Sequence, residues 1–212
     1  MGIDFGYIAV VLVVILISMT LHEAMHAFAS YWLGDNTAKN EGRLTLNPIK
    51  HIDPVLTIAL PLILAVVGGP IFGGAKPVPF NPHSVRWGEY GTALVGLAGP
   101  FTNLVLSFIF FGLLVAFGDA GGFITTFLQL SVVVNIGFFI FNMIPIPPLD
   151  GSRALYAIAP DAIRRGMEAM EQYGIVLVFA VVMLGGQYIG QFIGSTQQAI
   201  LQVYGAIFGV VV

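Results

Sequence analysis

The sequence contains no cysteine, which excludes a disulfide framework and any thiolate metal or nucleophile chemistry. Charge is scarce as well: 9% of the 212 residues are Asp, Glu, Lys or Arg, against roughly 25% in soluble domains. The net charge is only −3, and no basic run offers a nucleic-acid-binding face, so no nucleic-acid partner is expected. No Lys or Arg precedes the first apolar stretch, so that stretch does not read as a cleavable signal peptide. Internal repeats and low-complexity tails are missing too. What fills the chain is apolar: 57% of it is hydrophobic, with a mean hydropathy of +0.91. The length has room for about five membrane helices and little else, so residues 1–212 read as a single integral-membrane domain.

Charge-free windows locate the membrane segments. They fall at 5–33, 54–72, 90–118, 120–145 and 173–193, with 196–212 as a return or interfacial segment. The implied fold is an all-α polytopic membrane protein of about four to six transmembrane helices with small re-entrant or β-hairpin loops. Segment 54–72 is interrupted by Pro61, Gly68, Gly69 and Pro70, which favours a re-entrant course. Clustered Gln191, Gln197, Gln198 and Gln202 favour a break near residues 194–195. Of the two polar loops, 34–53 has a short alternating run at 43–46 that suggests small strands. The other, 73–89, alternates Val78 and Phe80 with prolines and reads as an extended loop or edge hairpin. Tyr31, Trp32, Trp87 and Tyr90 read as interfacial anchors, and Arg164, Arg165, Glu168 and Glu171 as a solvated helix with i,i+4 pairing.

Against this background one pentapeptide stands out. His-Glu-Ala-Met-His occupies 22–26, and Glu23 is the only formal charge between residues 5 and 33. Four positions apart on a helix, His22 and His26 project from one face, as two imidazole ligands of one zinc require. Glu23 beside them is placed to act as a general base toward water. Two His leave a catalytic zinc site one protein ligand short. Most acidic residues lie in polar loops, where a solvated charge needs no explanation. Asp150 differs, because it ends a 30-residue charge-free run in Asn-Met-Ile-Pro-Ile-Pro-Pro-Leu-Asp-Gly (142–151). Three prolines in four positions break a helix there, and a carboxylate beside such a break is a functional candidate. His51 and His83 lie in the polar loops, where hydrogen bonding or solvation is favoured over metal ligation.

HEAMH at 22–26 followed by NMIPIPPLDG at 142–151 resembles the site-2 protease family of intramembrane zinc metalloproteases. GLAGPFTN at 96–103 and GGAKPVPFNP at 73–82 also resemble segments of its short bacterial members, which lack PDZ and CBS domains. The resemblance implies one zinc per chain held by His22, His26 and Asp150, with Glu23 as catalytic base. It also implies an active-site role for Asn142, for which satisfying backbone groups freed by the proline break is an equal alternative. Extended backbone at 73–82 suggests that Lys76, Pro77 and Val78 hold a substrate strand by edge pairing. Asn103 is a further substrate-binding candidate, although a bond between helices suits it better.

With 54–72 re-entrant, the helices carrying the His pair and Asp150 run parallel. Lys39, Arg43, Lys50, Lys76, Arg86, Arg153, Arg164 and Arg165 then share one side, which the positive-inside rule makes cytoplasmic. The expected protein is a multi-pass enzyme of a bacterial cytoplasmic membrane, its active site in the cytoplasmic half. Its expected partners are lipid and membrane-spanning protein substrates, with a homo-oligomer left open. The rivals are a transporter or metal carrier using the His/Asp cluster, and an inactive scaffold that would have no need of Glu23.

Overall fold

The computed structural model describes residues 5–59, 63, 74–118 and 121–211. Its helices are α1 (Phe5–Trp32), the single turn α2 (Thr37–Asn40), α3 (Gly88–Phe117), α4 (Gly122–Asn142), α5 (Gly151–Ile158), α6 (Asp161–Glu171) and α7 (Gly174–Phe208). Four of them, α1, α3, α4 and α7, are long and apolar enough to cross a membrane. At 1.5 Å per residue even the 21-residue α4 reaches about 31 Å, roughly the hydrocarbon thickness of a bilayer. No strand occurs among the described residues, so the small strands expected at 43–46 and the hairpin at 73–89 are not formed. Prolines explain the second case: Pro77 and Pro79 leave Val78 as the one backbone donor between Lys76 and Phe80, too few for a ladder.

Three helices form the functional core. Along α1, every fourth residue from Val10 to Ser30 is buried: Val10, Val14, Ser18, His22, His26 and Ser30. That spacing draws one stripe along a helix face, and small Val and Ser let neighbours approach closely. Cross-helix bonds fix the directions. Ser18 lies level with Asn103 and Asn135, while His26 lies level with Val95. Helix α3 therefore runs antiparallel to α1, and α4 runs parallel to it. A separate apolar cluster of Phe111, Val132, Ile136, Ile140 and Tyr204 packs α7 against α3 and α4, with the Tyr204 hydroxyl 2.9 Å from Ser107 Oγ.

The longer linkers, 33–87 and 143–173, gather at one end of the bundle. Arg86 N–H donates to Leu33 O at 2.8 Å, which joins the exit of α1 to the approach of α3. Gly74 N–H donates to Leu56 O at 3.1 Å, and Lys76 N–H to His51 O at 2.9 Å. The chain thus leaves and re-enters the described structure at one place. The intervening positions, on which most of the expected re-entrant segment 54–72 falls, lie outside the described residues. All eight basic residues belong to the linkers and short helices of this end.

Two further expectations need correction. Helix α7 is continuous over 35 residues, so the break near 194–195 between segments 173–193 and 196–212 is absent. Its Gln and Gly residues are compatible with helix, and nothing at that point removes a backbone donor. The charged residues of α6 pair with α5 and its surroundings, not with each other at i,i+4. Arg153 pairs with Glu171, Tyr156 Oη donates to Glu168 at 2.5 Å, and Arg164 donates to Ala157 O at 3.1 Å. Trp32, Trp87 and Tyr90 are at least 64% exposed, as lipid-facing anchors would be.

Candidate metal centre

His22 and His26 project from the buried stripe of α1 toward the turn that follows α4. That turn is built by the prolines. Helix α4 stops at Asn142, and Pro145, Pro147 and Pro148 bring no N–H that needs a partner. The N–H groups of Met143, Ile144, Ile146 and Leu149 each find a carbonyl within five residues. Backbone at this depth is thereby satisfied locally, which is the condition for non-helical chain inside a bundle. The turn delivers Asp150 at the start of α5. Its Oδ2 lies 3.0 Å from His22 Nε2 and its Oδ1 3.4 Å from His26 Nε2, while the two Nε2 atoms are 3.0 Å apart.

The 3.4 Å separation fits a tetrahedral zinc site, and the two at 3.0 Å are about 0.3 Å shorter than such a site sets. Ligand bonds of about 2.0–2.2 Å at tetrahedral angles place ligand atoms about 3.3–3.6 Å apart. The proton accounting agrees. His26 Nδ1 lies 2.7 Å from the Val95 carbonyl, which can only accept, so the proton of the neutral ring sits on Nδ1. His22 Nδ1 lies 2.6 Å from Asn103 Oδ1. Asn103 is oriented in turn, since its Nδ2 donates to Asn135 Oδ1 at 2.8 Å and to the Ser18 carbonyl at 3.4 Å. Asn135 Nδ2 donates to Ser131 O at 2.8 Å and Ser18 Oγ at 2.9 Å. Backbone acceptors therefore set the direction of the whole chain, and both Nε2 lone pairs face the carboxylate. Three acceptors in mutual contact need a cation between them, and the near-tetrahedral spacing suits a metal ion.

Space for such an ion comes from Gly99 on α3. A Cβ there would lie 2.4 Å from His26 Nε2 and 2.6 Å from His22 Nε2, within the volume that a ligated ion would use. Glu23, one position from His22, is partly buried, and its Oε2 accepts from Val78 N–H at 3.1 Å.

Of the residues singled out in the sequence, His22, His26 and Asp150 are brought together, and Glu23 and Val78 adjoin them. Lys76 and Pro77 present exposed side chains, but their backbone carbonyls are held by Arg43. Asn103 is 0% exposed and lies behind His22 as a bond between helices. The Asn142 amide donates to Phe138 O at 3.0 Å inside its own helix, and no hydrogen bond links it to the cluster among the described residues. His51 is buried and bonded within its loop, and His83 is exposed. Sequence reasoning did not assign Gly99, Val95, Ser18 or Asn135 to this centre. Asn135 carried a usable signal, being a strongly polar residue deep inside a charge-free window.

The comparisons with known proteins follow the same line. Residues 118–186 match Peptidase family M50. The chain is 39% identical over 206 residues to the Bacillus subtilis protein named "Putative zinc metalloprotease YwhC", a match covering 92% of this chain and 91% of that protein. It is 34% identical over 189 residues to a Mycolicibacterium smegmatis protein, Rip2, named in the same terms, covering 84% of this chain and 69% of that one. No solved structure matches significantly.

Proposed function

Because this chain belongs to peptidase family M50 and is a multi-pass membrane metalloprotease, we propose that it cleaves membrane-spanning proteins within the bilayer. The observation that carries this reading is the convergence of His22, His26 and Asp150 inside a bundle of membrane-spanning helices, with Glu23 alongside. One zinc per chain would be held by these three residues, leaving a fourth position for water or substrate. When bound, zinc would polarise a scissile carbonyl and lower the pKa of a coordinated water toward about 7.

The chain's own groups do the rest. Glu23 takes a proton from the attacking water and passes it to the leaving amine. Asn103 and Val95 keep both imidazoles in the Nδ1–H tautomer, so that Nε2 stays available. Segment 76–78 lies beside the base, and because its backbone groups are bonded to Arg43, His51 and Glu23, the exposed Lys76 and Pro77 side chains would meet an unwound substrate strand. Asn142, at the end of α4, is a candidate contact for substrate. An apolar cleft of about 450 Å³ between the end of α4 and α7, lined by Ile140, Met143, Pro145, Tyr188 and Phe192 among others, supports lateral entry of an apolar segment. The gathering of all eight basic residues at the site's end of the bundle supports a cytoplasmic-side site in a bacterial cell membrane.

A transporter reading gains little, because the polar residues that continue inward from His22 are spent on one another. Cleavage of a membrane-spanning substrate by purified protein, with and without a zinc chelator, tests the proposal. Full activity after chelation, or in Glu23→Gln, would overturn it.

A further inference from the structure

We propose that Arg43 is a positioning residue for Glu23, acting through a single peptide group. Arg43 is 3% exposed, and among the described residues it belongs to no ion pair. A buried guanidinium without a carboxylate in contact is rare and costly. Its Nη2 donates to Lys76 O at 2.6 Å and its Nη1 to Pro77 O at 3.2 Å. Nη2 also lies 3.4 Å from His51 Nδ1, which is left as an acceptor because His51 Nε2 bonds Thr45 O at 2.9 Å.

The second carbonyl carries the argument. Pro77 O and Val78 N–H belong to one peptide unit, which is planar and trans, so fixing the oxygen fixes the direction of the N–H. Arg43 grips one edge of that plane, and Glu23 Oε2 accepts from the other edge at 3.1 Å. Prolines at 77 and 79 restrict rotation on both sides and supply no competing donor. The Val78 side chain is seated against Ala27, Ala38 and Leu44, which sets the height of the plane above α1. A positive charge on the carbonyl also polarises the peptide and strengthens its N–H as a donor. Burial pushes the Arg43 pKa down, and the charges that oppose this are the Glu23 and Glu41 carboxylates. The loop after α1 thus reaches back across the site to hold the base in one orientation, although Arg43 itself contacts neither ligand nor base.

This inference rests on the proteolytic reading, so the experiment scores the two separately. The full chain is purified in detergent with zinc, and zinc content, kcat and KM are measured for wild type, Arg43→Met and Arg43→Ala on a membrane-spanning substrate. The expected result is unchanged zinc content, a KM within about twofold and a kcat lower by about 10–100-fold, the scale of a misplaced catalytic group. Added guanidinium ion should return part of the lost kcat to Arg43→Ala. Arg43→Lys should recover little, because one ammonium does not reproduce the planar fork. Val78→Pro, which removes the N–H and leaves Arg43 in place, should reproduce the kcat loss, and it serves if the Arg43 variants fail to fold. Wild-type kcat in the Arg43 or the Val78→Pro variants, or parallel loss of zinc and kcat, would overturn the assignment. A zinc-loaded wild type that cleaves nothing would instead sink the proteolytic reading.

Discussion

Replacing Gly99 by alanine tests the metal centre with one methyl group. The added Cβ would stand 2.4 Å from His26 Nε2, 2.6 Å from His22 Nε2 and 2.7 Å from His22 Cε1. Regaining a contact of even about 3.0 Å requires His26 to retreat by about 0.6 Å and His22 by about 0.4 Å. Neither ring is free to do so. Their Nδ1 atoms are bonded at 2.6 Å and 2.7 Å to Asn103 and Val95, which sit on the same helix as Gly99. Moving α3 away as a body would stretch both bonds together. Metal–ligand distances tolerate only about ±0.2 Å, so either response spoils the site. Zinc affinity should fall by at least about 100-fold, the upper end of what loss of a ligand's supporting contact produces. Zinc content of the purified protein and competition with a chromogenic chelator read this directly. Gly137→Ala is the matched control, because nothing lies within 4 Å of a Cβ at that position of α4. Wild-type zinc affinity in Gly99→Ala would refute the geometry on which the centre is built.

Further outcomes follow from the same structure. Glu23→Gln should keep its zinc and lose proteolysis by about 10²–10⁴-fold, as expected for a general base, checked by metal analysis beside a cleavage assay. Asn103→Leu should weaken zinc binding about 10–100-fold by leaving the His22 Nδ1–H without an acceptor, whereas Asn103→Asp should retain more of it, read by chelator competition. Asp150→Ala should bind zinc too weakly to survive purification, since two imidazoles alone remain. Topology can be mapped cleanly because the chain has no cysteine of its own. Lys39→Cys and Arg86→Cys should react with an impermeant thiol reagent from the cytoplasmic side, and Gly121→Cys from the opposite one.

What the sequence made legible was whatever is written in composition or in fixed spacing. Long charge-free windows announced the spanning helices, and His22 and His26 announced a shared helix face, because helical periodicity places them without reference to anything distant. Asp150 was legible because a carboxylate ending a proline break at membrane depth has few structural uses. The losses were of another kind. The strands expected at 43–46 depend on a pairing partner, and the prolines at 77 and 79 deny it one. The break expected at 194–195 came from polarity, but Gln and Gly keep their backbone donors and α7 continues through them. Val95 contributes a carbonyl, which every helix position can offer, and Gly99 contributes the space of a missing Cβ, so their use here is visible only once α1 and α3 are packed.

The polar ladder explains how such a centre can exist inside a membrane bundle at all. A metal ligand at this depth needs its second ring nitrogen satisfied, and for His22 no backbone carbonyl of α3 takes that role. Asn103 supplies the acceptor, but an amide brings two donor hydrogens that must then be placed. Asn135 and the Ser18 carbonyl accept them, and the donors of Asn135 end on Ser131 O and Ser18 Oγ. The unsatisfied groups are handed across to the other two helices or back one turn along α4, where a hydroxyl or carbonyl accepts them. Three helices are thereby locked in register by the same bonds that set the tautomer of His22. A substitution that opens the ladder, such as Asn135→Ala, should accordingly weaken both zinc binding and thermal stability, while Arg43 variants should spare zinc binding.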